Sequence, residues 1–250
     1  MRARTRNTGL AEAGSLFDTI EQPHATMVHG TEGHRSRMRT RLLRAGPEAL
    51  ADHEMLEMLL FLALPRRDTK PVARLLLDRF GTFAASVSAA PAELLSVEGV
   101  GEAGAAALKL AQAAALRLLR DEVREQPVLK DWGRLMDYLI AMLAREKVEQ
   151  ARVLFMDSKN RLLADEVQVR GTVNATMIYP REVVRRALEL NATAILLVHN
   201  HPSGDPTASR EDLAMTQAVQ RAAAALGIKL LDHVIVAGNR WLSFQREGLL

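Results

Sequence analysis

The sequence predicts a small all-α unit followed by an α/β domain, and three observations carry that prediction. Residues 34–124 are rich in Ala, Leu and Arg, with apolar residues at helical spacing and no strand-like run. From residue 131 onward, short aliphatic runs alternate with helical stretches, the pattern of a mixed α/β fold. The 250 residues, 48% apolar and 25% charged, suffice for two cores and argue against general disorder.

The elements follow in chain order. Residues 1–32 show no periodicity and are expected as a mobile tail. A helical domain is expected over 33–124. It opens at His34-Arg35-Ser36-Arg37-Met38-Arg39-Thr40-Arg41-Leu42-Leu43-Arg44, and Gly46-Pro47 breaks that helix. Asp52 is expected to cap the next helix, whose apolar face is Met55, Leu56, Met58, Leu59 and Leu60. Pro71–Phe80 reads as a further helix ended by Gly81, and Ala90–Arg124 as helix interrupted by one Gly-containing hairpin. Residues 125–130, with Pro127, read as a linker.

The second domain is expected over 131–250. A helix, Trp132–Arg145, leads to a strand, Arg152–Met156, then turn residues Asp157–Asn160 and a strand, Leu162–Arg170. Pro180 opens a helix reaching Leu190. Ala194–Val198 has the length and composition of a buried strand, ending at His199. After a Gly/Pro loop come a helix from Ser209 to about Leu226 and a strand, Leu230–Ala237.

Composition narrows the function. With no cysteine, disulfides, thiolate zinc sites, iron–sulfur clusters and cysteine nucleophiles are excluded, so a metal must be held by His, Asp or Glu. Six Phe, two Trp and two Tyr are too few for the base-stacking platforms of RNA-binding modules. Apolar runs such as Leu59–Pro65 and Ala192–Val198 fall far short of the ~20 residues that span a bilayer. The Arg-rich start, Met1-Arg2-Ala3-Arg4-Thr5-Arg6, lacks the apolar stretch of a secretory signal, so no membrane association and a cytoplasmic location are expected. The net charge of +3 is uneven: residues 1–46 hold eight Arg against four acids, leaving the rest near neutral. Such a lead segment either touches nucleic acid or is simply solvated.

Two constellations carry chemistry. In the first, Val97-Glu98-Gly99-Val100-Gly101-Glu102, a tight turn leaves backbone amides uncovered at a helix start, where Gly99 and Gly101 can approach a phosphate. The turn resembles a helix-hairpin-helix DNA-backbone motif. Glu98 and Glu102 oppose that role, and a plain helix-connecting hairpin explains it equally. The second is His199-Asn200-His201-Pro202-Ser203-Gly204-Asp205-Pro206-Thr207-Ala208-Ser209-Arg210-Glu211-Asp212. Residues i and i+2 of a strand share a face, so His199 and His201 present two imidazoles together. Asp212 follows one turn into the next helix. Two imidazoles and a carboxylate make a facial ligand set for Zn2+ with a fourth position left for water. Ser209-x-x-Asp212 is also a helix cap, which needs no metal.

His-x-His, seven residues, then Ser-x-x-Asp resembles the signature of the JAMM (MPN+) metalloproteases. The Asn between the histidines, followed by Pro-Ser-Gly-Asp-Pro, resembles the RadC branch in particular. Tyr179-Pro180-Arg181-Glu182, Gly171-Thr172 and Leu231-Asp232-His233 are similar to that branch too, as are Gly33-His34-Arg35, Glu54–Leu60 and Pro65-Arg66-Arg67-Asp68. The resemblance spans residues from about 33 to 250. Ala208 departs from it, since relatives often carry Pro before the Ser.

The resemblance implies an α/β JAMM-like (cytidine-deaminase-like) domain and zinc-dependent cleavage of a peptide or isopeptide amide in a protein or peptide substrate. It also implies an upstream glutamate as general base. Glu149 fits the family's position, eight residues before Asp157; Glu166 and Glu182 are rivals. Ser209 is expected to donate to the developing oxyanion. A zinc nucleobase deaminase would need Pro-Cys-x-x-Cys, which a chain without Cys cannot supply. Asp232-His233 is either a pair behind the metal or an ordinary satisfied strand histidine, the latter being expected. The rival class is a DNA-binding or scaffold protein with a structural zinc site, in which the helical unit binds duplex DNA weakly through Gly99, Gly101 and Arg35, Arg37, Arg39, Arg41 and Arg44.

Overall fold

The computed structural model describes residues 31–171 and 178–250; the tail expected over 1–32 falls almost wholly outside them, as does Thr172. Six helices form the first unit: α1 (Thr31–Ala45), α2 (Asp52–Ala63), α3 (Lys70–Phe80), α4 (Phe83–Ser88), α5 (Pro91–Leu95) and α6 (Gly101–Glu125). Their core joins Leu56 and Leu60 of α2 to Val72 and Leu76 of α3 and Leu108 of α6, all buried. Fully burying each such side chain contributes roughly 1.5–3 kcal/mol.

Asp52 does not cap α2. It lies inside that helix, and its Oδ2 accepts from the Phe83 amide at the start of α4, 3.1 Å away. Ala51 precedes α2, its amide donating to Glu54 Oε2 at 3.0 Å. The stretch expected as a linker is docked. Helix α6, Ala- and Leu-rich and so strongly helix-forming, runs unbroken to Glu125. Val123 and Val128 are buried in the core of the second unit, and the Val128 amide donates to Asn160 O at 2.8 Å.

The second unit contains α7 (Trp132–Leu143), β1 (Gln150–Met156), β2 (Leu162–Arg170), α8 (Pro180–Glu189), β3 (Ala194–Asn200), α9 (Arg210–Ala224), β4 (Lys229–Ala237) and β5 (Arg240–Ser243). The sheet order is β2-β1-β3-β4-β5. Strands β3 and β4 are parallel and the other pairs antiparallel. The short strand β5 adds an edge that the apolar pattern did not reveal.

Helices cover both faces of the sheet. Ala194, Leu196 and Val198 of β3 pack with α7 residues such as Leu135 and Leu139 on one side. Ile195 and Leu197 pack with Val183 of α8 and Val219 of α9 on the other. A central strand buried on both faces reads as an uninterrupted apolar run, which is why Ala194–Val198 shows no alternation. The same period of two puts His199 on the α8/α9 face and Asn200 on the α7 face. Among the described residues, no helix is long and apolar enough to cross a membrane.

Candidate metal centre

Four segments converge at the carboxyl end of β3. The strand supplies His199, 1% exposed, and the residue beyond its end supplies His201, whose amide is held by Val236 O of β4 at 2.8 Å. Helix α9 supplies Asp212, and the lead-in to β1 supplies Glu149. The Nε2 atoms of the two histidines are 2.9 Å apart. Asp212 Oδ1 stands 3.1 Å from His199 Nε2, and Oδ2 stands 3.7 Å from His201 Nε2. One ligand atom each from Glu149, His199 and His201 all lie within 4.8 Å of one another.

Hydrogen-bond partners fix the tautomers. Thr216 Oγ1 donates to Asp212 O at 2.6 Å, so toward His233 Nδ1, also at 2.6 Å, it accepts. His233 is wholly buried, and burial first, then the positive field of His199, holds its pKa well below the ordinary imidazole value. It is neutral, with its proton on Nδ1, and its Nε2 therefore accepts from His199 Nδ1 at 2.8 Å. His201 Nδ1 donates to Asp205 O at 2.8 Å. Both Nδ1 atoms are thus donors, so the two Nε2 atoms face each other, each with a bare lone pair in a neutral ring and a proton turned to Asp212 in a charged one. Two acceptors at 2.9 Å repel unless a cation joins them. The donor set suits a metal such as zinc, and the hydrogen bonds behind it are of the kind that orient metal-bound histidines. His233, expected as an ordinary satisfied strand histidine, is instead the direct partner of His199.

Asp212 divides its two oxygens. Oδ2 accepts from the Ser209 amide at 2.8 Å and the Ser209 hydroxyl at 2.6 Å, while Ser209 Oγ accepts from the Asp212 amide at 3.0 Å. This is a capping box on α9. Burial pushes the Asp212 pKa up, but hydrogen bonds with His199 and His201, the charge of His199 and the Ser209 hydroxyl outweigh it. The carboxyl stays far below its usual range and ionised. The cap and the ligand role coexist because the cap uses Oδ2 and leaves Oδ1 toward His199.

The rival glutamates are engaged elsewhere. Glu166 on β2 is clamped by Arg186 of α8, with Nη2 at 2.7 Å from Oε1 and Nε at 2.9 Å from Oε2. Glu182 pairs with Arg181 and Arg185 at 3.3 and 2.8 Å. A cavity of about 740 Å³ opens at the histidines, lined also by Glu149 and Asp212 and by the apolar Ile178, Met215 and Ala218.

Gly99 and Gly101 lie in the other unit, in the turn between α5 and α6. Gly99 has φ 87°, its carbonyl accepts from Arg67 at 3.3 Å, and a Cβ there would stand 2.8 Å from Val72. Gly101, φ 58°, opens α6 with nothing within 4 Å of a Cβ. The expected arginine stripe is partly spent on internal bonds: Arg35 donates to the carbonyls of Leu64, Pro65 and Arg67, and Arg41 pairs with Glu54. Arg37, Arg39 and Arg44 are exposed.

The family model of the RadC-like JAB domain matches residues 129–249. A UPF0758 protein of Rhodobacter capsulatus is 55% identical over 213 residues, covering 85% of this chain and 100% of its own length. A UPF0758 protein of Ruegeria pomeroyi is 49% identical over 217 residues, covering 87% of this chain and 97% of its own.

Proposed function

The chain belongs to the RadC family, and from that premise we propose that it is a zinc-dependent hydrolase of the JAMM type. In this reading the second unit is a JAMM-like (cytidine-deaminase-like) domain that cleaves peptide or isopeptide amides. The observation that carries the proposal is the pair of Nε2 atoms facing each other at 2.9 Å beside Asp212 Oδ1. His199, His201 and Asp212 would hold the ion. Zinc in such a set lowers the pKa of a bound water from about 15.7 toward ~7.

Glu149 is the general base. Its carboxylate takes a proton from the attacking water as the water oxygen bonds to the amide carbon. When the C–N bond breaks, Glu149 returns that proton to the leaving amine. Ser209 turns its hydroxyl from Asp212 Oδ2 to the developing oxyanion, a contact worth ~3 kcal/mol in comparable sites. The apolar wall of Ile178, Met215 and Ala218 receives aliphatic parts of the substrate, beside a polar set facing the scissile bond.

Purified chain should carry one zinc, lost in His199→Ala or Asp212→Ala. Full zinc occupancy in the His199→Ala/His201→Ala double variant refutes the ligand set. At matched zinc content, Glu149→Gln should lower cleavage of a peptide and isopeptide library by roughly 10²–10⁴. Loss of activity in Glu166→Gln with Glu149→Gln unaffected would reassign the base.

The exposed Gly101 at the start of α6 and the exposed Arg37, Arg39 and Arg44 favour a second reading that is compatible with the first. Here the helical unit binds duplex DNA weakly and without sequence preference, whether the zinc site is catalytic or only structural. Few phosphate contacts imply micromolar or weaker affinity that falls steeply with salt. Fluorescence anisotropy of a labelled duplex at two salt concentrations tests it. Binding indifferent to both Gly101→Glu and loss of the arginines removes this reading.

A further inference from the structure

We propose that Asn200, the residue between the two histidines, is a positioning residue that sets where the Glu149 carboxylate stands over the metal centre. The inference rests on the reading of Glu149 as base at a zinc site. Asn200 is 1% exposed, and its side chain leaves the sheet on the face opposite His199 and His201. There it makes three hydrogen bonds to the chain entering β1. Oδ1 accepts from the Gln150 amide at 2.9 Å, and Nδ2 donates to Val148 O at 3.2 Å and Glu146 O at 3.3 Å. Two of these three residues are the neighbours of Glu149 on either side.

The sheet itself does not do this work. The β1–β3 register ends at the pair Ala151 and His199, so one residue further out the strands have separated. The planar amide of Asn200 replaces the missing rungs with one acceptor and two donors. A hydroxyl, with a single proton, could not serve both carbonyls. On its other side Glu149 is held by the residue that follows β2: Gly171 N donates to Glu149 O at 2.9 Å. That approach needs glycine, because a Cβ at 171 would stand 2.1 Å from Val148 Cγ1. Glu149 is therefore suspended between two anchors, and the one at Asn200 shares a strand end with the ligands His199 and His201. The base and the ligands are set in register by consecutive residues whose side chains leave opposite faces of one strand. Misplacement of a catalytic group by ~1 Å can cost on the order of 10² in rate.

The test uses the full-length chain reconstituted with zinc and acetohydroxamate as the probe, its affinity measured by calorimetry. The hydroxamate N–OH gives up its proton to a base beside the metal, so binding reports on Glu149 without a substrate. Glu149→Gln should weaken binding tenfold or more, Asn200→Ala should weaken it comparably, and the double variant should be no weaker than Glu149→Gln alone. Zinc stoichiometry stays at one throughout. Wild-type hydroxamate affinity in Asn200→Ala, or losses that multiply in the double variant, overturns the proposal and reduces Asn200 to a structural role. Should Asn200→Ala not fold, Asn200→Ser is read by the same criterion. Failure of the wild-type chain to take up zinc refutes the metal reading instead. A crystal structure of metal-free Asn200→Ser then decides for Asn200: a carboxylate displaced from the two histidines supports it, an unmoved one overturns it.

Discussion

Replacing Thr216 by Val removes one hydroxyl, keeps the β-branched shape and leaves no cavity, so its effects report on hydrogen bonding alone. Thr216 Oγ1 makes two buried bonds of 2.6 Å, to Asp212 O and to His233 Nδ1. The Asp212 carbonyl keeps its place in the α9 backbone ladder. His233 Nδ1–H is stranded in a wholly buried site, at a cost of roughly 1–3 kcal/mol. At ~2–4 °C per kcal/mol for a protein of this size, a loss of ~2 kcal/mol lowers Tm by ~4–8 °C. The neutral ring can escape by moving its proton to Nε2. His199 Nδ1 then faces a donor and must give up its own hydrogen, which moves to the Nε2 that the proposed site gives to the metal. Breaking such support behind a histidine ligand typically weakens metal affinity 10–100-fold. Zinc competition against a chromogenic chelator, run beside thermal unfolding of the metal-free chain, measures both effects. Thr216→Ser restores the hydroxyl and should recover most of the affinity. Wild-type zinc affinity in Thr216→Val, despite a lowered Tm, would refute the tautomer argument.

Other perturbations give equally direct readings. In the metal-free chain, the hydrogen bond with Asp212, opposed by burial and aided by Asp205 O, raises the His201 pKa above 6.5. Its proton stabilises the metal-free fold below the unfolded value, and that contribution fades as pH rises through the folded value. Zinc must displace this proton, so chelator competition should show weaker zinc binding at pH 6 than at pH 8. Gly99→Ala meets both the left-handed backbone and Val72, and should destabilise the helical unit by about 1–3 kcal/mol in denaturant unfolding while zinc content is unchanged. Gly171→Ala drives a methyl into Val148 and shifts the Glu149 backbone; hydrolysis should fall far more than zinc occupancy, measured on the same preparations.

What could be read from the sequence was local. Two histidines at i and i+2 need only the period of a strand, and Ser209 and Asp212 only the geometry of a helix start. Their convergence is visible without any tertiary information. Long-range partners are a different matter. His233 lies 34 residues from His199, and only the parallel pairing of β3 with β4 puts Leu197 opposite His233 and brings the rings together. Nothing in Leu231-Asp232-His233 signals that pairing. Asn200 is legible as part of a motif and silent as to purpose, because its three partners lie at and just before the start of β1 and meet it only across the sheet. Asp52 has the composition of a cap and serves one, but for α4 rather than α2. Arg35 and Arg41 look like free cations in a basic stripe until the carbonyls at 64–67 and the Glu54 carboxylate are seen to engage them.

All the candidate ligands, and the Thr216–His233 pair behind them, come from one strand–helix–strand unit, β3-α9-β4, residues 194–237. Glu149 comes from outside it, on a segment that leads from α7 into β1. On the proposed reading, ion capture and proton transfer are therefore inherited by separate stretches of chain. A lineage can lose the carboxylate at 149, or the clamp that aims it, and retain a fully formed cation site with an intact fold. Among relatives, an unaltered His-x-His and Asp would then say that the ion is kept, while only the junction ahead of β1 would separate a working hydrolase from a descendant that has become a binding platform.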